Sequence, residues 1–169
     1  MDQINLGIIG TGWCGGIRAQ AAYANPLVDR LYIAENRPER LEEIKAKYRP
    51  AGATADYREL IDNDDIHTLI ISATPETTHY PMAKAALEAG KHVFLEKPIA
   101  ITLAEADDLV KISRDKNLKF TIGYSQRFNP KYAYIKQSLE DGTLGEPVSA
   151  LVSRHITRSL GKKISGRIK

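Results

Sequence analysis

Gly10, Gly12 and Gly15 follow the apolar residues 6–9 in a Gly-x-Gly-x-x-Gly spacing. The spacing suits a turn that holds a pyrophosphate between a strand and a helix. Glycine at 10 permits the tight turn, and the missing Cβ at 12 lets the backbone approach a phosphate. Glycine at 15 lets the helix pack on the strand. Thr11, Trp13 and Cys14 fill the variable positions. The first amides of the following helix lack an intrahelical acceptor and lie at the positive end of its dipole. A phosphate supplies both acceptor and counter-charge. Cys14 is the single cysteine. With no base marked for it, it reads as a filler of the turn and not as a nucleophile.

Glu35 follows Gly15 by 20 residues, at the end of an apolar segment that carries Leu31 and Ile33. An acid there takes the adenosine ribose hydroxyls and repels a 2′-phosphate. NAD(H) is therefore the preferred cofactor, and Arg37 leaves NADP(H) open. Asp62, Asp64 and Asp65 have no accompanying ligands and read as a solvated loop, so no metal site is expected.

These residues need a frame. Apolar strands are read at 6–9, 31–35, 68–72, 92–95 and 119–123, as the first, second, fourth, fifth and sixth of a sheet. Helices are read between them. One covers 17–24. One runs from Pro38 with Leu41, Ile44 and Tyr48 in helical spacing, stopped by Pro50-Ala51-Gly52. Asp56-x-x-Glu59 opens a short one through Ile61, and Thr102-x-x-Glu105 opens one with Leu109 and Ile112 inside. Another places Met82, Ala85, Ala86 and Ala89 on its apolar side and ends at Gly90. Such alternation predicts an α/β fold, a doubly wound and mostly parallel Rossmann sheet over residues 1–123, in the order 3-2-1-4-5-6. Ligands bind outside the carboxyl ends of such strands, where Gly10, Glu35, Thr74, Lys97 and Tyr124 fall.

The pattern changes beyond Gly123. A polar and aromatic connector leads to a helix with Tyr132, Ile135 and Leu139. Val148, Ala150, Val152 and His155 then alternate with polar or small residues, which predicts a strand over 148–157. One strand cannot make a sheet. Residues 124–169 read as the start of a second domain.

With 43% hydrophobic and 27% charged residues, the 169-residue chain has an ordinary globular composition. Its apolar runs are too short to span a membrane, and no secretory signal precedes them. One cysteine fits a reducing, cytoplasmic setting. The formal net charge is +3, yet the basic residues from Arg154 on meet no acid. Without interleaved aromatics this basic tail does not make nucleic acid an expected partner.

The whole chain resembles the N-terminal half of the glucose-fructose oxidoreductase / inositol dehydrogenase family (Gfo/Idh/MocA). The glycine turn, Thr74-Pro75-x-x-x-His79, Glu96-Lys97-Pro98 and Gly123-Tyr124-x-x-Arg127-Phe128-Asn129-Pro130 carry the match in order, with Gly142-x-x-Gly145-x-Pro147 after them. The resemblance implies an NAD(P)-dependent oxidoreductase of sugars, inositols or related polyols, homo-oligomeric at full length. It implies that Ser72, Ala73, Thr74, Pro75 and His79 line the cofactor. It also implies that Glu96 and Lys97 reach the nicotinamide ribose and substrate, and that the Lys97–Pro98 bond is cis. Tyr124 and Arg127 are candidates for the substrate side.

Oxidising an alcohol removes a hydride and a proton. A buried lysine beside a positive nicotinamide is disfavoured in its charged form and can polarise the hydroxyl or relay its proton. Lys97 is the catalytic candidate. Family members continue into an open-faced sheet domain with a downstream Asp-x-x-x-His-type motif that supplies the proton acceptor. Nothing after His155 matches it. Residues 124–169 are thus expected to be the truncated start of an α+β open-sheet domain, and the chain a cofactor-binding portion inactive alone. Two alternatives share its features. One is a non-catalytic dinucleotide-sensing regulator; the other is an NAD-dependent glycosidase or dehydratase, in which the hydride returns to substrate. Lys97 after Glu96 favours an enzyme over a sensor.

Overall fold

The computed structural model of the chain describes residues 3–153, 155 and 157–159. Its contacts divide it after Tyr124.

The first unit alternates strand and helix. β1 (Ile4–Ile9), α1 (Trp13–Tyr23), β2 (Val28–Ala34), α2 (Pro38–Tyr48), β3 (Gly52–Thr54) and α3 (Arg58–Asp62) form its first half. β4 (Thr68–Ile71), α4 (His79–Glu88), β5 (His92–Leu95), α5 (Leu103–Asp115) and β6 (Phe120–Ile122) form the second. The sheet has the predicted order β3-β2-β1-β4-β5-β6, and all its pairings are parallel.

Both faces of the sheet are apolar, as a parallel sheet requires. Successive side chains alternate between the faces. Leu6 and Ile8 of β1 and Leu31 and Ile33 of β2 pack with Ala19, Ala22, Ile44 and Tyr48 of the first two helices. Ile9, Tyr32 and Ala34 point the other way, toward Leu69 and Ile71 of β4, Ala83 and Leu87 of α4 and Leu109 of α5. Ile8, Ile33, Ile44, Leu69, Ile71, Leu87 and Leu95 are fully buried, each contributing about 1.5–3 kcal/mol by leaving water.

Local signals set the helix ends. α2 starts on Pro38 and stops at Arg49, whose left-handed backbone (φ 45°) returns its amide to Lys45 O at 3.0 Å. The capping box at Thr102 and Glu105 forms. The one expected at Asp56 and Glu59 does not. Glu59 Oε1 instead accepts from the Thr54 hydroxyl at 2.8 Å, and Tyr57 is the cap residue of α3. The α4 residues buried are His79, Ala83, Ala86 and Leu87; Ala89 lies beyond the helix and is exposed. α1 begins at Trp13, earlier than its apolar residues predict, because the glycine turn leads straight into it.

β3 lies in the stretch read only as a helix stop. Its three residues carry no apolar alternation. Backbone bonds define it instead: Ala51 N donates to Leu31 O at 2.8 Å, and Glu35 N to Thr54 O at 3.0 Å.

The second unit holds a short turn, Ser125–Phe128, and α6 (Pro130–Glu140). The Asn129 side chain caps α6 by accepting the Lys131 amide at 3.1 Å. Tyr132, Ile135 and Leu139 remain well exposed, and Ser138 is its only buried residue. The strand predicted over 148–157 is absent among the described residues. Residues 148–153 are irregular, and Val148 is 97% exposed. A strand is held by a neighbour's ladder, and alternation alone gives it none. Arg154 and Ile156 of that segment and the basic residues Lys162, Lys163, Arg167 and Lys169 lie outside the described residues. No described helix is long and apolar enough to cross a membrane.

Candidate functional site

The carboxyl ends of the strands lie in a row. Backbone bonds extend the sheet one residue past its strands, from Gly10 to Ala34 O, Glu35 to Thr54 O, Ser72 to Ile9 O, Glu96 to Ile71 O and Gly123 to Leu95 O, all at 2.8–3.0 Å. This aligns four of the expected site positions, Gly10, Glu35, Ser72 and Glu96, with Gly123 beside them.

The glycine turn is tight against β4. Gly10 has φ +82°, and a Cβ there would stand 2.9 Å from Ser72 O. A Cβ on Gly15 would fall 1.9 Å from Gly10 O, so only glycine fits. Gly12 differs: a Cβ on it would meet nothing within 4 Å, and it faces open space. Gly12 is also the cap residue of α1 and brings no side chain to its amides. The Ser72 hydroxyl is buried without a hydrogen-bond partner, and a Cβ on Gly15 would lie 3.3 Å from Ser72 Cβ. Such a hydroxyl calls for an acceptor or donor from outside the chain. Uncapped amides, open space at Gly12 and an unpartnered hydroxyl fit the pyrophosphate of a dinucleotide. Trp13 and Cys14 are exposed on the rim.

Thr11 ties this turn to the end of β2. Its amide and hydroxyl donate to Glu35 Oε2 at 2.9 and 2.8 Å. Glu35 also accepts from the Arg37 amide at 3.1 Å, Nε at 2.8 Å and Nη2 at 2.9 Å. Burial pushes the Glu35 carboxyl pKa up, but bonds from Arg37 and Thr11 outweigh it and hold the value at about 2. Arg40 of α2 completes the network by donating Nε to Thr11 O at 3.0 Å.

The Thr74–Pro75 and Lys97–Pro98 bonds are both cis. His79, buried at the start of α4, stands between the two proline loops: Nδ1 lies 2.7 Å from Pro98 O and Nε2 3.1 Å from Ala73 O. Ala73 is half-buried, while Thr74 and Pro75 are exposed. Glu96 is buried and ion-paired with Arg18 of α1. Lys97 does not have the burial expected of it. It is exposed, and its ammonium makes no hydrogen bond or ion pair with the described residues. The strand alternation explains this: Leu95 enters the core, Glu96 turns to the α1 side, and Lys97 follows after the ladder has ended. Tyr124 closes the first unit, half-exposed. Arg127 belongs to the turn of the second unit and is also exposed.

Arg18 and Arg40 are the two members not read from sequence. An arginine among the small and apolar residues of α1 is the signal that could have marked Arg18. Arg40 lies in a run of charges and offers no such contrast. No group of three metal-ligating side chains occurs among the described residues.

Known proteins resemble this chain in sequence and fold. Levoglucosan dehydrogenase from Pseudarthrobacter phenanthrenivorans is 36% identical over 157 residues, which cover 88% of this chain and 40% of that protein. The scyllo-inositol 2-dehydrogenase (NADP(+)) of Bacillus subtilis is 31% identical, over 85% of this chain and 39% of that protein. The solved structure of scyllo-inositol dehydrogenase from Lactobacillus casei with bound NAD(H) and scyllo-inositol superposes with a TM-score of 0.80 at 28% identity. It matches 86% of this chain and 43% of that one. The chain thus spans about two fifths of the length of these relatives. Residues 4–124 match the GFO_IDH_MocA family, described as an oxidoreductase family with an NAD-binding Rossmann fold. This match over most of the chain, together with the parallel sheet in the Rossmann order, makes the chain a member of that family.

Proposed function

We propose that the chain is the cofactor-binding portion of an NAD(P)-dependent dehydrogenase of sugars, inositols or related polyols, and that it does not oxidise them unaided. The observation that carries the reading is the glycine turn, with uncapped α1 amides, open space at Gly12 and an unpartnered Ser72 hydroxyl beside Gly15. The amides of Trp13, Cys14 and Gly15 bind the pyrophosphate, and Glu35 receives the adenosine ribose. The carboxylate favours NAD(H) over NADP(H). When bound, nicotinamide supplies the hydride acceptor. Glu96, anchored by Arg18, fixes the end of β5. Lys97, exposed there and with no partner for its ammonium among the described residues, meets the substrate hydroxyl and moves its proton. The relatives named for levoglucosan and inositols support the substrate class.

Residues 124–169 begin a second domain for substrate binding and assembly, in a longer protein that forms a homo-oligomer. The exposed apolar side chains of α6 support this. Titration calorimetry with NADH, paired with an NAD-reduction assay on a panel of inositols and sugars, tests the reading. Binding without turnover is expected. Turnover by the chain, surviving removal of contaminating dehydrogenases, overturns the division of labour; absence of dinucleotide binding overturns the cofactor role.

A further inference from the structure

The two oxygens of Glu35 have different duties. Oε2 accepts from the Thr11 amide and hydroxyl and from Arg37 Nη2. Among the described residues Oε1 accepts only from Arg37, from its amide at 3.1 Å and Nε at 2.8 Å. The Arg37 side chain is 59% exposed and that of Glu35 3%, so the guanidinium lies on the solvent side of the carboxylate and covers it. The Thr11 bonds hold the glycine turn and serve it in any state. Oε1 is the oxygen free of that task, and Arg37 occupies it.

Resting on the dinucleotide reading proposed above, we infer that Arg37 sets the cofactor preference by competing with the adenosine ribose for Glu35 Oε1. A ribose diol reaches that oxygen only by displacing the guanidinium, and binding of NAD(H) is weakened by the lost fork-like pair. A 2′-phosphate offers the displaced guanidinium a new bidentate partner. NADP(H) therefore recovers part of what it loses by approaching a carboxylate. The two effects narrow the preference for NAD(H) that Glu35 alone would impose. Removing the side chain leaves both Thr11 bonds and the backbone amide of residue 37 in place. The turn is kept and Oε1 is opened.

The test is calorimetric titration of the whole chain and of Arg37→Ala and Arg37→Lys with NADH and with NADPH. Circular dichroism serves as the check on folding. Arg37→Ala is expected to bind NADH about three- to tenfold more tightly than wild type and NADPH about tenfold more weakly. Arg37→Lys, which keeps a charge but not the fork, should tighten NADH by less and hold NADPH within about threefold of wild type. Should Arg37→Ala fail to fold, the direction of the NADH change in Arg37→Lys decides. Unchanged or weaker NADH binding in the folded variant overturns the inference while leaving the cofactor role standing. Failure of all three proteins to bind either dinucleotide overturns both.

Discussion

The Arg18 guanidinium stands 4.3 Å over the Phe94 ring and pairs with the Glu96 carboxylate. Gly123 makes room for the pair: a Cβ there would lie 3.1 Å from Arg18 Nη2 and from Glu96 Oε1. A residue of the helix behind the phosphate turn thus fixes the end of β5. Arg18→Ala strands a buried carboxylate and should destabilise the chain by about 2–3 kcal/mol. Urea unfolding reads this as a lower midpoint with an unchanged slope. Adding Glu96→Gln should recover part of the loss, because the stranded charge is then gone. Additive losses in the double variant would show that the two side chains act separately.

Gly12 and Gly15 should respond differently to alanine. Gly15→Ala drives a Cβ into Gly10 O, 1.9 Å away, and should cost about 3 kcal/mol or more of stability. Gly12→Ala meets nothing within 4 Å and should leave the melting temperature within a few degrees while weakening dinucleotide affinity. Thermal melts and quenching of Trp13, the single tryptophan, separate the two effects. Equal melting losses would mean that Gly12 has a structural role.

Glu35 makes stability depend on pH. Its folded value of about 2 lies below the ordinary 4.5. The carboxylate therefore stabilises the fold above pH 4.5, and that contribution is lost as pH falls from 4.5 toward 2. Glu35→Gln should lower stability at pH 7 and flatten this acid limb. A chemical-unfolding series across the window checks it; an unaltered slope in the variant would assign the acid sensitivity elsewhere. Glu35→Ala should also weaken NADH binding and reduce discrimination against NADPH.

Lys97→Ala, in a longer protein that joins this chain to a substrate domain, should mainly lower the catalytic rate and leave cofactor affinity nearly intact. General acid–base groups contribute about 10²–10⁴-fold. A change below about fivefold would remove Lys97 from the chemistry.

The sheet was legible because its strands are apolar on both faces and alternate with helices. Only β3 escaped. Gly52-Ala53-Thr54 has no apolar pattern, and the backbone of β2 defines it. The glycine turn and the Glu35 position were legible from spacing, because backbone geometry dictates spacing. The partners of Glu35 and Glu96 were not. Thr11 and Arg18 meet them through tertiary packing, which leaves no periodic trace, and Arg37 reaches Glu35 from two residues on through a side-chain conformation that spacing does not specify. The strand read over 148–157 does not form among the described residues, for the related reason that alternation records a face, not a neighbour. Lys97 was expected to be buried on chemical grounds, but the end of the β5 ladder exposes it.

β1 is the earliest strand in the chain, yet it lies between β2 and β4. Its pairing with β4 joins Leu6 to Thr68 and Ile9 to Ile71, and Asn5 meets His67 across 62 positions. Contacts of such long sequence separation form slowly, because the loop between them must close first. During synthesis β1 can pair with β2 early, but its other edge stays open until β4 has emerged. An unpaired apolar edge is a place for a second nascent chain to attach. The centre of the sheet, the best buried part of the finished unit, is therefore also its longest-exposed part while the chain is being made.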